Sequence, residues 1–261
     1  MLEGLPLIGQ GRAAEVFQLD ADRVLKVARA GAEAAVEREA VALRAAQAAG
    51  APVPALHEVG TYDGRSGIVM TRVRGKDMLS DLGRRPWLIV RVGAKLGRIH
   101  AQVHRASAPA ELPSVKAYAE ERVARLPAAQ RDKVLALMRE LPDGDRLCHL
   151  DFHPGNVIRD GATMVVIDWS SAARGDPLAD VAFTVLGLQG GAAPPGTALV
   201  TRVLAPIGRG MIVRGYLRSY RRHAELERPR LSRWRVVAAG VRLSYEIAGE
   251  QDLLARIIAA A

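Results

Sequence analysis

The chain has 261 residues, 49% of them apolar and 25% charged, enough to bury a sizeable core in one domain or in two packed lobes. No run of about 18 uncharged apolar residues occurs, and the opening stretch MLEGLPLIGQGRAAEV lacks a basic region followed by an apolar one, so neither a membrane span nor a signal peptide is expected. The single cysteine, Cys148, rules out an intramolecular disulfide framework and a cysteine metal cluster, and fits a reducing cytoplasm.

The first 75 residues alternate short strands with one helix. Leu5 to Ile8 and Val16 to Leu19 are predicted strands around a glycine turn, Gly9-Gln-Gly11, and Arg23 to Val27 is a third. Ala32 to Ala49 is rich in Ala, Glu and Arg and is stopped by Gly50, Pro52 and Pro54, the pattern of a helix and its end. Leu56 to Tyr62 and Gly67 to Val73 are strands joined by Asp63-Gly-Arg-Ser, a hairpin signal. From there the pattern turns helical. Pro86 to Arg105 carries Ile89, Val92, Leu96, Ile99 and Val103 at helical spacing, and 115–126 and 128–141 follow. Two β-like segments, Leu147 to Leu150 and Met164 to Ile167, interrupt the series. Helices are then expected at 176–188, 197–224, 231–248 and 251–261. A β-rich front joined to a helical back predicts an α+β chain of two lobes with a cleft between them.

The chemistry concentrates in His149-Leu-Asp151-Phe-His-Pro-Gly-Asn156, followed by Val165-Val-Ile-Asp168. Phosphoryl transfer from ATP needs a carboxylate that orients the attacking hydroxyl and takes its proton, and oxygen ligands for magnesium. Asp151 suits the first role. Asn156, across a Pro-Gly turn, and Asp168, at the end of an apolar strand, suit the second. An ordinary polar loop is the plain alternative for any one of these residues.

This stretch resembles the catalytic loop and metal-binding aspartate of protein-kinase-like enzymes, and most closely the aminoglycoside phosphotransferase family with its choline kinase-like relatives. The resemblance implies a two-lobed protein-kinase-like fold: a small β-rich N-lobe over 1–74 with a hinge near 70–75, and a larger, mainly helical C-lobe over 76–261. It places the catalytic loop at 147–158 and the substrate-side helices at 190–261. It implies Asp151 as catalytic base, Asn156 and Asp168 as magnesium ligands, and His149 as a brace for the loop. Gly9 and Gly11 match a glycine-rich phosphate loop, except that Ala14 stands where the family's third glycine would be. Lys26 matches the phosphate-contacting lysine and Glu39 its partner, with Glu33 and Glu37 as competitors. Met70, Thr71 and Val73 fall where the family holds adenine, and Asp180 where it keeps a structural carboxylate. The chain runs from Asp168 almost directly to the next helix without Ala-Pro-Glu, which disfavours a polypeptide acceptor.

The expected activity is therefore ATP- and magnesium-dependent transfer of the γ-phosphate to a hydroxyl of a small molecule, with no membrane partner. The net charge is +9, and from Gly190 onward 12 Arg face Glu225, Glu227, Glu246, Glu250 and Asp252. That balance disfavours a polycationic aminoglycoside and makes a neutral or anionic metabolite the better fit, unless Glu246, Glu250 and Asp252 line the pocket. The alternatives are a kinase-like protein or nucleic-acid-associated factor using the basic helices, or a non-catalytic nucleotide-binding module. His100 and His104, one turn apart, lack a third ligand motif and are expected to pack. Trp87 and Trp234 are expected as packing anchors, with lining of a substrate pocket as the alternative for either.

Overall fold

The computed structural model describes residues 2–190, 199–247 and 249–261. Its N-terminal part is an antiparallel five-stranded sheet: β1 (Leu7–Gln10), β2 (Ala14–Gln18), β3 (Arg23–Ala28), β4 (Leu56–Tyr62) and β5 (Arg65–Thr71), in the order β1-β2-β3-β5-β4. The β4–β5 turn is the predicted one. Asp63 and Gly64 both take left-handed φ values, 48° and 77°, as a two-residue hairpin between twisted strands requires. Helix α1 (Glu33–Ala48) packs on β3 and β5. It ends where Gly50 turns left-handed, letting the Ala51 N–H reach the Ala46 carbonyl at 2.9 Å.

Strand β3 is buried almost throughout, and its alternation sorts the side chains. Leu25 and Val27 join Tyr62 and Val69 in a small cluster on one face, while Ala28 belongs with α1 to the main core on the other. Lys26, on the Ala28 side, is thereby delivered toward α1.

After β5 comes a segment the sequence reading passed over. β6 (Lys76–Asp77) leads into α2 (Met78–Arg84), whose first turn Asp77 caps by accepting from the Ser80 N–H at 2.8 Å. Gly75 takes a φ of 120°, and a Cβ there would sit 2.1 Å from the Arg159 carbonyl oxygen, so only glycine admits this crossing. The expected helix at 86–105 opens as a 3₁₀ turn (Pro86–Leu88) and continues as α3 (Ile89–Val103). Helices α4 (Val115–Val123) and α5 (Ala128–Arg139) follow.

Around the central loop, β7 (Arg146–Cys148) pairs with β10 (Ala173–Gly175), and β8 (Val157–Asp160) pairs with β6 and β9 (Thr163–Val166). Helix α6 (Pro177–Gln189) starts on Asp176, which accepts from the Leu178 N–H at 3.0 Å, and is buried on nearly every side. The chain finishes with α7 (Leu199–Tyr220), α8 (Arg228–Leu243) and α9 (Gln251–Ala259). Residues 197–198 of one expected helix, and residue 248 of the next, lie outside the described residues.

Helices α3 and α7 run side by side in the same direction. Gly93 faces the backbone of Ile212 and Tyr216, and Gly97 that of Tyr216 and Tyr220, at distances no larger residue tolerates. Of the two tryptophans expected to pack, Trp234 is fully buried and donates to Asp176 at 2.7 Å. Trp87 is a correction: it is 73% exposed, because the 3₁₀ turn before α3 points it outward.

Candidate active site

Lys26 and Glu39 meet where β3 crosses α1. The ammonium lies 2.5 Å from Glu39 Oε2 and 3.0 Å from Asp168 Oδ1. Burial works against the Lys26 charge, but the two carboxylates overcome it and hold the pKa above the ordinary lysine value. Burial likewise pushes the Glu39 carboxyl up against the pull of Lys26. The competing acids are spent elsewhere, Glu37 accepting from Ser66 at 3.1 Å and Glu33 from the Gly31 N–H at 3.2 Å.

Asp168 follows β9 in a left-handed conformation, φ 61°, which turns its carboxylate out of the strand. Its side chain is 44% exposed, and Oδ1 accepts from Ser170 Oγ at 2.9 Å as well as from Lys26. Burial alone would raise its pKa; Lys26 and Ser170 reverse that and lower it. A cavity of about 550 Å³ opens over this group. Gly9, Gly11, Lys26, Glu39, Met70, Thr71, Val73 and Asp168 all line it, so the residues matched to nucleotide binding share one space.

The loop after β7 is held from below. His149 is buried; its Nε2 donates to the Ile167 carbonyl at 3.0 Å, and its Nδ1 accepts the Asp151 N–H at 3.3 Å. Leu150 sits at φ 60°, which frees Asp151 to project toward solvent. Asn156 Nδ2 donates to the Asp151 carbonyl at 2.9 Å and to Asp151 Oδ2 at 3.3 Å, and the Asn156 carbonyl accepts the Ile167 N–H at 3.0 Å. Asp151, Asn156 and Asp168 are thus tied through Ile167 into one neighbourhood. His153 shapes the loop by accepting the Gly155 N–H at 3.0 Å; burial lowers its pKa although Asp151, 3.8 Å away, opposes that.

The donor set suits a hard divalent cation. The Asn156 amide nitrogen is spent on Asp151, which leaves its Oδ1, like the Asp168 carboxylate, as an oxygen donor that could hold such an ion.

Beneath the loop lies a buried network that the sequence did not disclose. Asp180 accepts the Leu150 N–H at 2.9 Å and also that of His149. Its Oδ2 is 3.0 Å from His100 Nε2, at an oblique angle, and 3.2 Å from His104 Nε2. The other ring nitrogens face tyrosine hydroxyls, His100 with Tyr216 and His104 with Tyr220, both at 2.7 Å. Asp180 is the third group that the histidine pair lacked in sequence; three of the four ring nitrogens make hydrogen bonds, while His100 Nε2, beside Asp180 Oδ2, makes none. Burial, with His104 beside it, pushes the His100 pKa down to about 4. Burial would raise Asp180, but the two imidazoles hold it well below the usual carboxylate range. The legible signal was a shared spacing: His100 and His104 on one helix, Tyr216 and Tyr220 on the next.

A second cavity, of about 720 Å³, opens on the other side of Asp151. Leu79, Leu82, Phe152, Phe183 and Ile212 give it an apolar wall, joined by Arg209 and Arg242. Arg242 is clamped on Glu250, with Nη2 2.7 Å and 2.8 Å from the two carboxylate oxygens. Glu246 and Asp252 line a different surface hollow beside Arg125, so the late acids do not form a pocket for a polycation. Two arginines of the basic region pair with acids of the chain: Arg230 lies 3.4 Å from the buried Asp176, and Arg233 makes an exposed pair with Glu140.

The model of the phosphotransferase enzyme family (APH) matches residues 4–227. A search of curated proteins returned no match. Among solved structures, the chain is similar to the amicoumacin kinase hAmiN in complex with AMP-PNP, Ca2+ and Ami: TM-score 0.65, 16% identity, over 99% of this chain and 88% of that one. It is similar to an aminoglycoside-3'-phosphotransferase of type VIII (TM-score 0.61, 20% identity, 91% and 94% covered). A third is the streptomycin–ATP–APH(2")-IIa ternary complex (TM-score 0.61, 14% identity, 99% and 92% covered). At these identities the likeness speaks for the fold.

Proposed function

Because this chain belongs to the phosphotransferase enzyme family, we propose that it transfers the γ-phosphate of ATP to a hydroxyl group of a small molecule, using magnesium and Asp151 as base. The observation that carries the reading is Lys26, clasped between Glu39 and Asp168 inside a cavity that also holds the glycine hairpin and Met70, Thr71 and Val73. A buried ammonium aimed into a glycine-edged space suits a triphosphate.

In this reading the adenine lies against Met70, with the Thr71 carbonyl and the Val73 amide as its backbone partners, and Gly9 and Gly11 let the β1–β2 hairpin approach the phosphates. Asn156 and Asp168 would hold the magnesium ion, which would neutralise phosphate charge when bound. The acceptor enters from the larger cavity, and Asp151 orients its hydroxyl and takes the proton. The hydroxyl oxygen bonds to the γ-phosphorus as the bond to the departing ADP breaks. Asn156 holds the Asp151 carboxylate in place, and His149 fixes the peptide that carries it. The lone, buried Cys148 fits the reducing compartment, the cytoplasm, in which we place this activity.

Acceptor-dependent ATP consumption tests the reading. Asp151→Asn should lower turnover by about 10²-fold or more while leaving thermal unfolding unchanged, and omission of magnesium should abolish it. A variant that turns over near the wild-type rate removes Asp151 from its role.

A further inference from the structure

We infer that the phosphate acceptor is an uncharged alcohol with a bulky, mainly apolar body, seated in the cavity beside Asp151; this rests on the phosphotransferase reading above. The cavity, about 720 Å³, is the size that holds a drug-sized molecule. Its floor is a face of the main core itself, since Phe152, Phe183 and Ile212 line it and belong to that core, with Leu82 and Ile89 packed against it. Leu79, on α2, extends the apolar wall to the surface, where it is 57% exposed. A floor made of packed core side chains is fixed in shape before anything binds, and an apolar body entering it gives up only its contact with water.

The charges around the cavity disfavour both kinds of ion. Among the described residues, Asp151 is the one carboxylate that lines it, and the stretch 191–205 contains no Asp or Glu. Glu250 stands behind Gly190, buried and held by Arg242. A polycation would lose its hydration with one carboxylate to receive it, and that carboxylate is needed as the base. An acid fares no better, because both arginines of the wall are engaged. Arg242 is clamped on Glu250, while Arg209 donates to the Gln189 carbonyl at 3.3 Å and holds a further contact. An acid would also lie beside the Asp151 carboxylate and the γ-phosphate, which repel it. Burial lowers the His153 pKa, so that ring adds no charge at neutral pH. The remaining fit is a neutral molecule. Its hydroxyl gives its proton to Asp151 and its oxygen bonds to the γ-phosphorus as ADP departs, while its apolar body covers Leu79 and the floor.

Calorimetric titration of the full chain loaded with AMP-PNP and magnesium tests this. Dodecane-1,12-diol, 12-hydroxydodecanoate and 12-aminododecan-1-ol are probes of one length and different charge, joined by the rigid neutral alcohol deoxycorticosterone and by kanamycin. At least one of the two neutral alcohols should bind, and the acid, the amine and kanamycin should bind it about tenfold or more weakly by comparison. Leu79→Glu and Leu79→Lys, at an exposed position, should each weaken the neutral alcohol by about tenfold or more, whatever the sign of the new charge. Kanamycin, the acid or the amine binding as tightly as the neutral alcohols overturns the inference and leaves the phosphotransferase reading standing. So does binding of neither neutral alcohol by enzyme that still takes up AMP-PNP, or neutral-alcohol affinity indifferent to both variants. Failure of AMP-PNP to bind removes both.

Discussion

Gly97→Ala is the substitution that most directly probes how the helices hold the loop. A Cβ at this position would lie 2.3 Å from the Tyr216 carbonyl oxygen and 2.8 Å from the Tyr220 nitrogen. Non-bonded heavy atoms settle near ~3.5 Å, so α3 and α7 must part by about 1 Å. That movement carries the bonds of His100 to Tyr216 and of His104 to Tyr220, both 2.7 Å, past the range of a hydrogen bond. Overpacking of this kind costs about 1–3 kcal/mol, and each weakened buried bond adds about 1 kcal/mol. Alanine's helix preference returns about 1 kcal/mol, for a net loss of about 2–4 kcal/mol. Urea unfolding followed by circular dichroism reads this directly. Gly210→Ala, on the same α7 where an added Cβ meets nothing within 4 Å, is the control and should be neutral or stabilising by up to about 1 kcal/mol. Equal stability of Gly97→Ala and wild type, or equal damage by the two substitutions, would refute the close-packing argument.

Further outcomes follow from the buried charges and from the crossing of Gly75 on Arg159. Lys26→Met strands Glu39 in the interior and should cost about 3–5 kcal/mol, with much of the loss recovered in the Lys26→Met/Glu39→Gln double variant, by the same unfolding assay. With the His100 pKa pushed down to about 4 from an ordinary 6.5, the unfolded chain takes up a proton that the folded one refuses between those values. Stability should therefore fall by about 2 kcal/mol from pH 7 to pH 5 through this residue, and His100→Gln should remove that part of the slope in urea midpoints at the two pH values. Gly75→Ala, at φ 120° with the Arg159 carbonyl oxygen 2.1 Å from an added Cβ, should displace the crossing after β5 and weaken AMP-PNP binding in fluorescence titration by about tenfold.

Where short-range chemistry decides, the sequence was legible. Asp63-Gly64 named its hairpin, Gly50 ended α1, and the apolar run to Ile167 ended with Asp168 at the site. The segments passed over are those whose pattern is tertiary. β6 and β10 are too short for any period to show, and each exists because a partner strand offers its edge. Trp87 misled because its size argues for burial, while a 3₁₀ turn set its direction. The choice among Glu33, Glu37 and Glu39 needed the angle at which α1 crosses β3. The second cavity was invisible in sequence, since its wall draws on five separate helices and the loop.

Helices α3 and α7 carry different obligations along their length. Their later turns hold His100, His104, Tyr216 and Tyr220 against Asp180, whereas Ile89 at the start of α3 and Arg209 and Ile212 midway along α7 face the large cavity. A side-chain change at these cavity-facing positions remodels the receptacle without removing any bond of the loop's anchor. The range of accepted compounds can therefore shift by single substitutions on the cavity side of the pair, while the position of Asp151 stays fixed by the histidine and tyrosine turns that follow.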